Sequence, residues 1–334
     1  MANIALIGAG KIGALHAANI RSNPRARLAW IADPAPGAAE RLAAPGERAT
    51  TDPAQAIAAA DVDAVWVAAP TSTHVELILA AVAAGRPVFC EKPVDLDLDR
   101  ARRCRQQVEA AGGRVMIGFN RRFDPTYAGL RARVAGGEVG QIQQVAIYAR
   151  DPEPPPLAYV PTSGGIFRDM SIHDFDMARW LVGDIETVYA VAQDTDPDLR
   201  QAGDFGAAVI LLQARCGAAV TVASSRWCAY GYDQRVEVFG SQGMLQALNQ
   251  HPTQIAAFTS GATSALGRLK DHYMQRFAEA YRRELDAFLD AAAAGGPLQP
   301  GLEEGVAALE VSDAAARSAA SGAPVRLAPP PPPR

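Results

Sequence analysis

The feature that most constrains this fold is a glycine-rich turn near the start of the chain, Gly8-Ala9-Gly10-Lys11-Ile12-Gly13. It follows the apolar run Ile4–Ile7 and precedes the helical pattern Ile12–Ile20, which predicts a strand, a tight turn and a helix. The first glycine permits the turn, the second lets the backbone approach a pyrophosphate, and the third allows close packing of helix on strand. We therefore predict a dinucleotide site at the helix N-terminus, formed by Gly8, Gly10, Lys11, Ile12 and Gly13.

Asp33 ends the next apolar run, about 20 residues after the turn. A carboxylate at this place accepts hydrogen bonds from the ribose diol of NAD and repels the 2′-phosphate of NADP. Pro34 and Ala35 follow it, so no arginine stands directly beside it, although Arg41 lies further along. The sequence predicts NAD as the cofactor, with a plain loop cap as the alternative role for Asp33.

Short apolar runs alternate with alanine-rich helical patterns over the first third of the chain. The runs predict strands at Ile4–Ile7, Leu28–Ala32, Ala64–Ala68, Pro87–Cys90 and Val115–Gly118. The patterns between them predict helices at Ile12–Ile20, Gly37–Ala43, Val75–Ala84 and Leu98–Ala111. This alternation indicates a parallel sheet with helices on both faces. Residues 1–120 are thus predicted to form an α/β Rossmann domain that binds NAD.

The pattern changes after residue 120, where longer strand-like runs follow one another with few helices between them. The runs are Gln141–Ala149, Thr187–Gln193, Ala207–Gln213, Ala218–Ser224, Gln234–Gly240 and Met244–Ala247. Helical patterns are predicted at Pro125–Ala135, Ser171–Val182, Arg268–Ala294 and Leu302–Ala320. This arrangement favours an α+β domain with a mostly antiparallel open sheet, residues 121–328, for substrate binding and oligomerisation. Residues 329–334 are predicted to be a proline-rich tail without a fold of its own.

Composition excludes several classes of protein. Lysine and arginine number 32 against 36 aspartates and glutamates, a net charge of −4, which does not suit a nucleic-acid-binding protein. No apolar run approaches the roughly 20 residues of a membrane span, and the N-terminus lacks the positive leader of a secretory signal. The four cysteines show no metal or redox spacing, which is compatible with a reducing compartment. We predict a cytoplasmic protein with no membrane or nucleic-acid partner.

Two segments follow predicted strands of the first domain, where the ligand crevice of an open α/β sheet lies. Pro70, Thr71 and His74 follow one strand, and Glu91 and Lys92 follow the next. Closure of a helix start is the alternative role for His74. A lysine that ends a buried strand and precedes a proline is more often functional than solvated. We therefore predict that these five residues contact the cofactor, and that Lys92 also reaches the substrate.

Asp169 and His173 are the most informative pair of the second domain. A spacing of four residues would place both side chains on one face of a helix. Such a pair can also be a fragment of a metal site, but the sequence supplies no clear third ligand, so we predict no metal. A histidine with a neighbouring carboxylate is suited to general base catalysis near neutral pH.

The chain resembles the Gfo/Idh/MocA oxidoreductases over nearly its whole length. The resemblance rests on the glycine turn, on Glu91-Lys92-Pro93 and on Asp169 with His173 four residues later. Four further segments resemble the inositol 2-dehydrogenase branch: Gly118-Phe119-Asn120-Arg121-Arg122-Phe123-Asp124, Arg150-Asp151-Pro152, Ile172-His173-Asp174-Phe175-Asp176 and Tyr230-Gly231-Tyr232-Asp233-Gln234-Arg235.

This resemblance implies NAD-dependent oxidation of a secondary alcohol of a cyclic polyol, with myo-inositol converted to 2-keto-myo-inositol. It implies Lys92, Asp169 and His173 as the catalytic group. Asn120 would lie near the nicotinamide and the substrate, Arg121 near the substrate, and Asp151, Tyr230 and Tyr232 near the polyol hydroxyls. Strand packing is the alternative for the two tyrosines. The family commonly pairs its open sheet faces, so we expect a homo-oligomer, a dimer or a homotetramer.

Other functions remain open at this point. Within the same reaction class, the substrate could be scyllo-inositol, an aldose or an anhydrosugar. An NAD-dependent glycosidase would oxidise a sugar only transiently, and a non-catalytic nucleotide sensor is expected to lack the lysine or the histidine. Both Lys92 and His173 are present, which favours the dehydrogenase.

Overall fold

The structure is a computed structural model that describes residues 1–329, and it divides into two units. The first unit contains Met1–Phe123 and Glu279–Leu309, and the second contains Asp124–Ala278 and the residues from Glu310 onward. This division differs from the contiguous domains 1–120 and 121–328, because residues 279–309 return to the first unit. Apart from Pro329, the expected proline-rich tail lies outside the described residues.

The first unit is built around a six-stranded sheet. Its strands are β1 Ala2–Ile7, β2 Ala26–Ala32, β3 Arg48–Thr50, β4 Ala64–Val67, β5 Val88–Cys90 and β6 Val115–Ile117. Its first helices are α1 Lys11–Ser22, α2 Ala38–Leu42, α3 Pro53–Ala58, α4 His74–Ala83 and α5 Leu98–Ala110. The strands pair in the order β3-β2-β1-β4-β5-β6, and every neighbouring pair is parallel. This arrangement confirms the predicted Rossmann fold.

The second unit contains most of the remaining elements. Its strands are β7 Ile142–Arg150, β8 Ile185–Gln193, β9 Ala207–Ala214, β10 Ala219–Ser225, β11 Asp233–Gly240, β12 Gly243–Ala247, β13 Ala256–Thr259, β14 Ala262–Leu266 and β15 Val325–Arg326. The helices from here to the end of the chain are α6 Pro125–Ala135, α7 Val160–Ser163, α8 Gly165–Asp169, α9 Ile172–Val182, α10 Pro197–Gln201, α11 Tyr273–Arg276, α12 Ala278–Ala294 and α13 Leu302–Ser321. The division between the units falls within α13 and at the start of α12.

The sheet of the second unit has seven strands in the order β12-β11-β7-β10-β9-β8-β15. All neighbouring pairs are antiparallel except β7 with β10, in which Val222 lies beside Ile147. Strand β9 alternates buried and exposed residues along its length, as expected of a sheet with one covered face. The predicted mostly antiparallel open sheet is confirmed.

Short elements account for most of the differences from the sequence prediction. Helix α3 was not predicted, although Asp52 accepts a hydrogen bond from the amide of Ala54 and Pro53 occupies the first helical position. This aspartate–proline pair is a helix-start pattern that the apolar periodicity did not include. The predicted helix at Arg268–Ala294 begins later, because the His272 side chain caps α11 by accepting from the amide of Met274.

The core of the first unit contains an aromatic cluster that includes a histidine. Trp66 stacks on Phe89 with ring centroids 3.8 Å apart, and His16 lies 5.2 Å from Trp66 and 5.7 Å from Tyr281. Phe288 meets the Trp66 ring edge-on at 5.3 Å. Tyr281 and Phe288 both belong to α12, so this helix contributes its buried face to the core of the first unit. That contact explains why residues 279–309 cluster with the N-terminal part of the chain.

Glu284 lies on the same buried face of α12, between Tyr281 and Phe288 in sequence, and is 0 % exposed. Neither of its carboxyl oxygens has a hydrogen-bond partner among the residues that the structure describes. Burial, together with the negative charge of Glu91, raises the pKa of Glu284 well above its ordinary value of 4.5. Burial therefore favours the neutral form of this side chain in the folded protein.

Three kinds of feature are absent from residues 1–329. No helix there is long and apolar enough to cross a membrane. The same residues contain no group of three or more histidines, cysteines, aspartates or glutamates that could hold a metal ion. All four cysteines are free, with Cys90, Cys104 and Cys228 buried and Cys216 exposed.

The neutral state of Glu284 predicts an unusual dependence of stability on pH. Above pH 4.5 the unfolded chain releases a proton that the folded chain retains, so this residue lowers the free energy of unfolding as pH rises. The variant Glu284→Gln has an uncharged side chain at this position at every pH. Its free energy of unfolding therefore does not fall with rising pH for this reason. We expect its melting temperature to rise relative to the wild type as pH increases from 5 to 8, as measured by scanning calorimetry.

Glu279→Gln is the matched control, because Glu279 lies on the same helix but is exposed and pairs with Arg282 and Arg283. These arginines lower the pKa of Glu279. The melting temperature of Glu279→Gln should therefore not rise relative to the wild type as pH increases. A constant difference between wild type and Glu284→Gln over the whole range would contradict a neutral Glu284.

Candidate functional site

The glycine turn joins β1 to α1 at the carboxyl end of the parallel sheet. Gly8 has φ +107°, and a Cβ at this residue would lie 2.3 Å from the carbonyl oxygen of Ala68, just after β4. A Cβ at Gly13 would lie 2.1 Å from the carbonyl oxygen of Gly8. Both positions therefore require glycine, as predicted for the turn and for close packing of the helix.

Gly10 differs from the other two glycines because it is exposed and faces open space. A Cβ at Gly10 would meet no atom of the described residues within 4 Å. Gly10 is the N-cap of α1, and no side chain caps the first turn of this helix, where Lys11 and Ile12 lie. The turn thus offers uncapped backbone N–H groups next to an unobstructed approach, which fits the pyrophosphate of a dinucleotide.

Asp33 follows β2 and lies beside this turn. One of its carboxylate oxygens accepts from the amide of Ala9 at 2.8 Å, and the other accepts from the amide of Ala35 at 2.9 Å. The first bond fixes the carboxylate against the glycine turn, and the second closes its own loop. Asp33 therefore closes its own loop, and its carboxylate lies against the glycine turn, where the sequence predicts the adenosine ribose.

The segment after β4 contains the next predicted cofactor ligands. Pro70 and Thr71 are at or near the surface, whereas His74 is 1 % exposed. The two ring nitrogens of His74 lie 2.7 Å from the carbonyl oxygen of Pro93 and 2.9 Å from that of Ala69. Burial lowers the pKa of His74, although these two hydrogen bonds oppose the effect. The imidazole thus ties the loop after β4 to the loop after β5.

Glu91 and Lys92 follow β5 at the same edge of the sheet, and both are partly buried. Glu91 is bonded to the buried ring of His16 on α1, with Oε1 and Nε2 2.8 Å apart. The Lys92–Pro93 peptide bond is cis. The loop that contains Lys92 is therefore fixed on one side by His16 through Glu91 and on the other by His74 through Pro93.

Asn120 and Arg121 lie shortly after β6, the last strand of the same sheet, and Gly118 and Phe119 separate them from it. They lie on a 3-10 turn, Asn120–Phe123, and are only 4 % and 5 % exposed. The structure thus places all predicted ligands of the first unit after the carboxyl ends of strands β1, β2, β4, β5 and β6, the edge at which open α/β sheets bind ligands.

Asp169 and His173 belong to the second unit and are both partly buried. The sequence predicted that they share one helix face, but Asp169 ends α8 and His173 lies in the first turn of α9. The regular α-helix is interrupted at Met170 and Ser171, because the amide of Ser171 bonds to the carbonyl of Ile166, five residues back. This wider closure separates the two helices.

The carboxylate of Asp169 has two partners that the sequence analysis did not identify. The hydroxyl of Tyr159 donates to its Oδ1 at 3.1 Å, and a guanidinium nitrogen of Arg226 lies 3.6 Å from its Oδ2. Both partners are remote from the predicted motif, Tyr159 in a proline-rich loop and Arg226 after β10. No spacing or periodicity links such residues, so only the fold could reveal them.

The remaining predicted substrate residues surround the end of β7. The amide of Asp151 bonds to the carbonyl of Ser225 at 2.9 Å, which places Asp151 at the same end of the sheet as Arg226. The hydroxyl of Tyr230 accepts from Arg150 and donates to Asp233 at 2.7 Å.

Tyr232 is 8 % exposed and meets Phe277 edge-on at 6.1 Å. Tyr232 therefore packs in the interior, whereas Tyr230 is 49 % exposed. The structure thus separates two tyrosines that the sequence placed together as polyol ligands.

Asp233 is the centre of a buried polar network. Its carboxylate accepts hydrogen bonds from Arg150, Arg235, Tyr230 and Asn249 at 2.6–2.9 Å. Burial opposes ionisation, but these donors hold the pKa of Asp233 well below its usual range. The network fixes the loop that contains Tyr230 next to the end of β7.

Two family models match the chain. The model described as "Oxidoreductase family, NAD-binding Rossmann fold" matches residues 2–119, and the model described as "GFO/IDH/MocA C-terminal domain" matches residues 127–246. These matches confirm the predicted family, its oxidoreductase class and NAD as the cofactor of the first unit.

Individual proteins are similar over nearly the whole chain. A protein of Rhizobium meliloti named inositol 2-dehydrogenase is 43% identical over 97% of this chain and 98% of its own. The crystal structure of a myo-inositol dehydrogenase from Corynebacterium glutamicum has a TM-score of 0.95 and 42% identity, covering 99% of this chain and 100% of that one.

A second similar structure was solved with ligands. It is a scyllo-inositol dehydrogenase from Lactobacillus casei with bound NAD(H) and scyllo-inositol, and it has a TM-score of 0.88 and 27% identity over 98% of this chain and 99% of that one. The glycine turn, the parallel strand order and the matches to both halves of the chain lead to one assignment. This chain belongs to the GFO/IDH/MocA family of NAD-dependent oxidoreductases.

Proposed function

We propose that this protein is an inositol 2-dehydrogenase that oxidises myo-inositol to 2-keto-myo-inositol with NAD. The observation that carries the proposal is the similarity, over nearly the full length, to a protein named inositol 2-dehydrogenase. The uncapped helix start at Gly10 and the carboxylate of Asp33 support the use of NAD. When bound, NAD accepts the hydride from the carbon that is oxidised.

His173 is the proposed general base, which accepts the proton of the reacting hydroxyl group. Asp169 orients His173 and stabilises the positive charge that the imidazole gains. Lys92 donates a hydrogen bond to the reacting oxygen and stabilises its developing negative charge. The bonds from His74 to Pro93 and from His16 to Glu91 hold the Lys92 loop in place, which supports a role that requires a fixed ammonium group.

The substrate residues are proposed from the family resemblance, and their surroundings support them to different degrees. Asn120 and Arg121 follow β6 at the ligand edge of the sheet, which favours contact with the nicotinamide and the polyol. The exposed ring of Tyr230 and the position of Asp151 after β7 suit contacts with polyol hydroxyls. Tyr232 contributes through the loop that it anchors, because its own ring is largely buried.

Scyllo-inositol is the second candidate substrate, because a similar solved structure contains scyllo-inositol together with NAD(H). A screen that follows NADH formation with myo-inositol, scyllo-inositol and aldoses tests both candidates. We expect the highest kcat/KM with myo-inositol. Failure of every free polyol to produce NADH, combined with cleavage of a glycoside, would replace the proposal with a glycosidase that uses NAD only transiently.

Cofactor preference provides a test at Asp33. Replacement by serine removes the negative charge that would repel a 2′-phosphate, so the variant should use NADP better. We expect Asp33→Ser to lower the ratio of kcat/KM for NAD to that for NADP by roughly tenfold, the effect of one like-charge contact near a protein surface. Steady-state kinetics with both cofactors measure the ratio.

Asp63→Ser is the matched control, because Asp63 accepts from the amide of Asn3 at 2.8 Å near the other end of β1. This variant also loses a carboxylate–amide bond but is remote from the glycine turn, so its cofactor ratio should stay at the wild-type value. Equal efficiency of the unmodified protein with NAD and NADP would refute the role of Asp33.

Loss of the base should affect turnover and leave cofactor binding intact. We expect His173→Ala to lower kcat by roughly 10²–10⁴-fold, the usual effect of removing a general base. Lys92→Ala should lower kcat by roughly 10²–10³-fold through lost stabilisation of the charged oxygen. For His173→Ala, the dissociation constant of NAD, from fluorescence titration, should change little because the predicted nucleotide ligands belong to the first unit.

His251→Ala serves as the control for loss of an imidazole, since His251 bonds to the carbonyl of Gly267 next to the β13–β14 hairpin. Its kcat should match the wild type. If His173→Ala turned over the polyol at a near-normal rate, His173 would be excluded as the base and Lys92 would take its place.

We also propose that the protein is a cytoplasmic homotetramer assembled through the open face of its second sheet. That face carries large apolar side chains that are 36–48 % exposed: Tyr189, Val191, Val209, Leu211, Phe239 and Met244. Several exposed large apolar side chains on one sheet face are typical of a contact surface between protein chains. Four free thiols are compatible with the reducing cytoplasm.

A charge placed on this face should prevent assembly. We expect Val209→Arg to shift the protein from a tetramer to smaller species, because an arginine in an apolar interface would be desolvated without a partner. Size-exclusion chromatography with light scattering at micromolar concentration measures the mass. Ala110→Arg, which adds the same charge at the exposed end of α5, should stay tetrameric, and a monomeric wild type would contradict the proposal.

A further inference from the structure

We propose that Arg226 is a positioning residue for the reaction, which fixes the carboxylate of Asp169 by linking it to Asp204. The inference rests on the proposed role of Asp169 and adds to it a buried ion-pair network of the second unit. Arg226 does not belong to any of the motifs that identify the family from the sequence. Its contacts, burial and charge carry the argument.

Arg226 is one of the largest fully buried side chains of the protein, with 1 % of its surface exposed. It directly follows β10, and its amide donates to the carbonyl of Gly206 at 2.8 Å, so its backbone is fixed between two strands. A guanidinium without a charged partner would be very costly in such a place. Its two partners are therefore essential to the arrangement.

The shorter of the two ion pairs is with Asp204. A guanidinium nitrogen of Arg226 donates to Oδ2 of Asp204 at 2.6 Å, and the Asp204 side chain is also 1 % exposed. A different nitrogen of Arg226 lies 3.6 Å from Oδ2 of Asp169, which is an electrostatic contact rather than a hydrogen bond. Arg226 thus bonds firmly to Asp204 and attracts Asp169 without taking up its hydrogen-bonding capacity.

Asp204 also holds the other end of the helix that carries Asp169. Its Oδ1 accepts from the amide of Ile166 at 2.7 Å, in the first turn of α8. The close approach of Asp204 to the start of α8 depends on Gly165, which has φ +74°. A Cβ at Gly165 would lie 2.9 Å from Oδ1 of Asp204. Asp204 and Arg226 therefore hold both ends of this five-residue helix, and Asp169 is its last residue.

The second oxygen of Asp169 is held by Tyr159. The phenol hydroxyl donates to Oδ1 at 3.1 Å. Burial, followed by the charge of Asp169, raises the pKa of Tyr159 above its ordinary value, and the nearby Tyr273 adds to the effect while Arg226 opposes it. Tyr159 consequently remains a protonated donor. The carboxylate of Asp169 is held at one oxygen by a hydroxyl and at the other by a buried positive charge.

The test compares Arg226→Lys and Arg226→Met with the wild type. Lysine keeps the charge but cannot reach two carboxylates with separate nitrogens in a planar fork. We expect Arg226→Lys to lower kcat by roughly 10-fold and Arg226→Met by roughly 100-fold, the effect of a catalytic group displaced by about 1 Å. The dissociation constant of NAD should not change.

The pH dependence of kcat/KM separates positioning from mere stabilisation. Removal of the buried cation takes a positive charge out of this part of the second unit, which favours the protonated form of the groups that control the profile. The acidic limb should therefore move to higher pH in Arg226→Met and less in Arg226→Lys. Asp204→Asn keeps the shape of the residue that pairs with Arg226 but removes its charge. This variant should also have a lower kcat than the wild type.

Arg276 supplies the matched control. It is also buried in the second unit and pairs with Asp124 at 2.6 Å, on elements that do not carry Asp169 or His173. Arg276→Lys should lower the melting temperature about as much as Arg226→Lys, because both variants weaken a buried ion pair. Its pH profile should coincide with that of the wild type.

If Arg226→Lys loses melting temperature but retains the wild-type kcat and pH profile, Arg226 has only a structural role and the inference is overturned. If Asp169→Asn itself retains full activity, the proposed role of Asp169 fails, and the inference fails with it. A variant Arg226→Met that does not fold leaves the decision to Arg226→Lys and Asp204→Asn, whose kinetics are measured in the same way.

Discussion

The contact between the backbone of Gly8 and the end of β4 is the constraint on which the nucleotide site depends. A side chain at Gly8 would overlap the carbonyl of Ala68, so only glycine allows β1 to end where α1 can begin beside β4. Asp33 bonds to Ala9 within the turn, and α1 carries His16 to Glu91. The turn therefore positions the uncapped amides at the start of α1 and also, through α1, the loop of Lys92.

In the first unit, two buried histidine rings lie against hydrogen-bond acceptors. The ring of His74 lies between two carbonyl oxygens, and the ring of His16 meets one carboxylate in an aromatic surrounding. Glu284 has no such partner among the described residues, and burial favours its neutral form. A neutral acid beside Glu91 adds no second negative charge, so the bond between Glu91 and His16 is not disturbed.

The second unit uses pairs of arginine and carboxylate, each with at least one buried member, instead. Arg226 joins two carboxylates, Arg276 pairs with Asp124, and Asp233 gathers Arg150 and Arg235. Buried ion pairs contribute little net stability because desolvation is costly, but each fixes the geometry of its members. Helix α8, which ends at Asp169, and the loop of Tyr230 are each bonded to one of these networks. These charge networks therefore determine where Asp169 and Tyr230 lie.

The sequence by itself indicated five of the six parallel strands, four of the first five helices, the nucleotide turn and most of the open sheet, because periodicity and glycine placement are local properties. It also identified Asp33, Lys92, Asp169 and His173 as candidate residues. Only the tertiary structure decided that residues 279–309 return to the first unit, since the aromatic face of α12 could not be assigned to a partner from its own pattern.

The tertiary structure likewise separated Asp169 and His173 onto two helices and gave Asp169 its partners Tyr159 and Arg226. Hydrogen bonds and ion pairs between residues distant in sequence leave no periodic trace, because they depend on where the sheet brings the strand ends together.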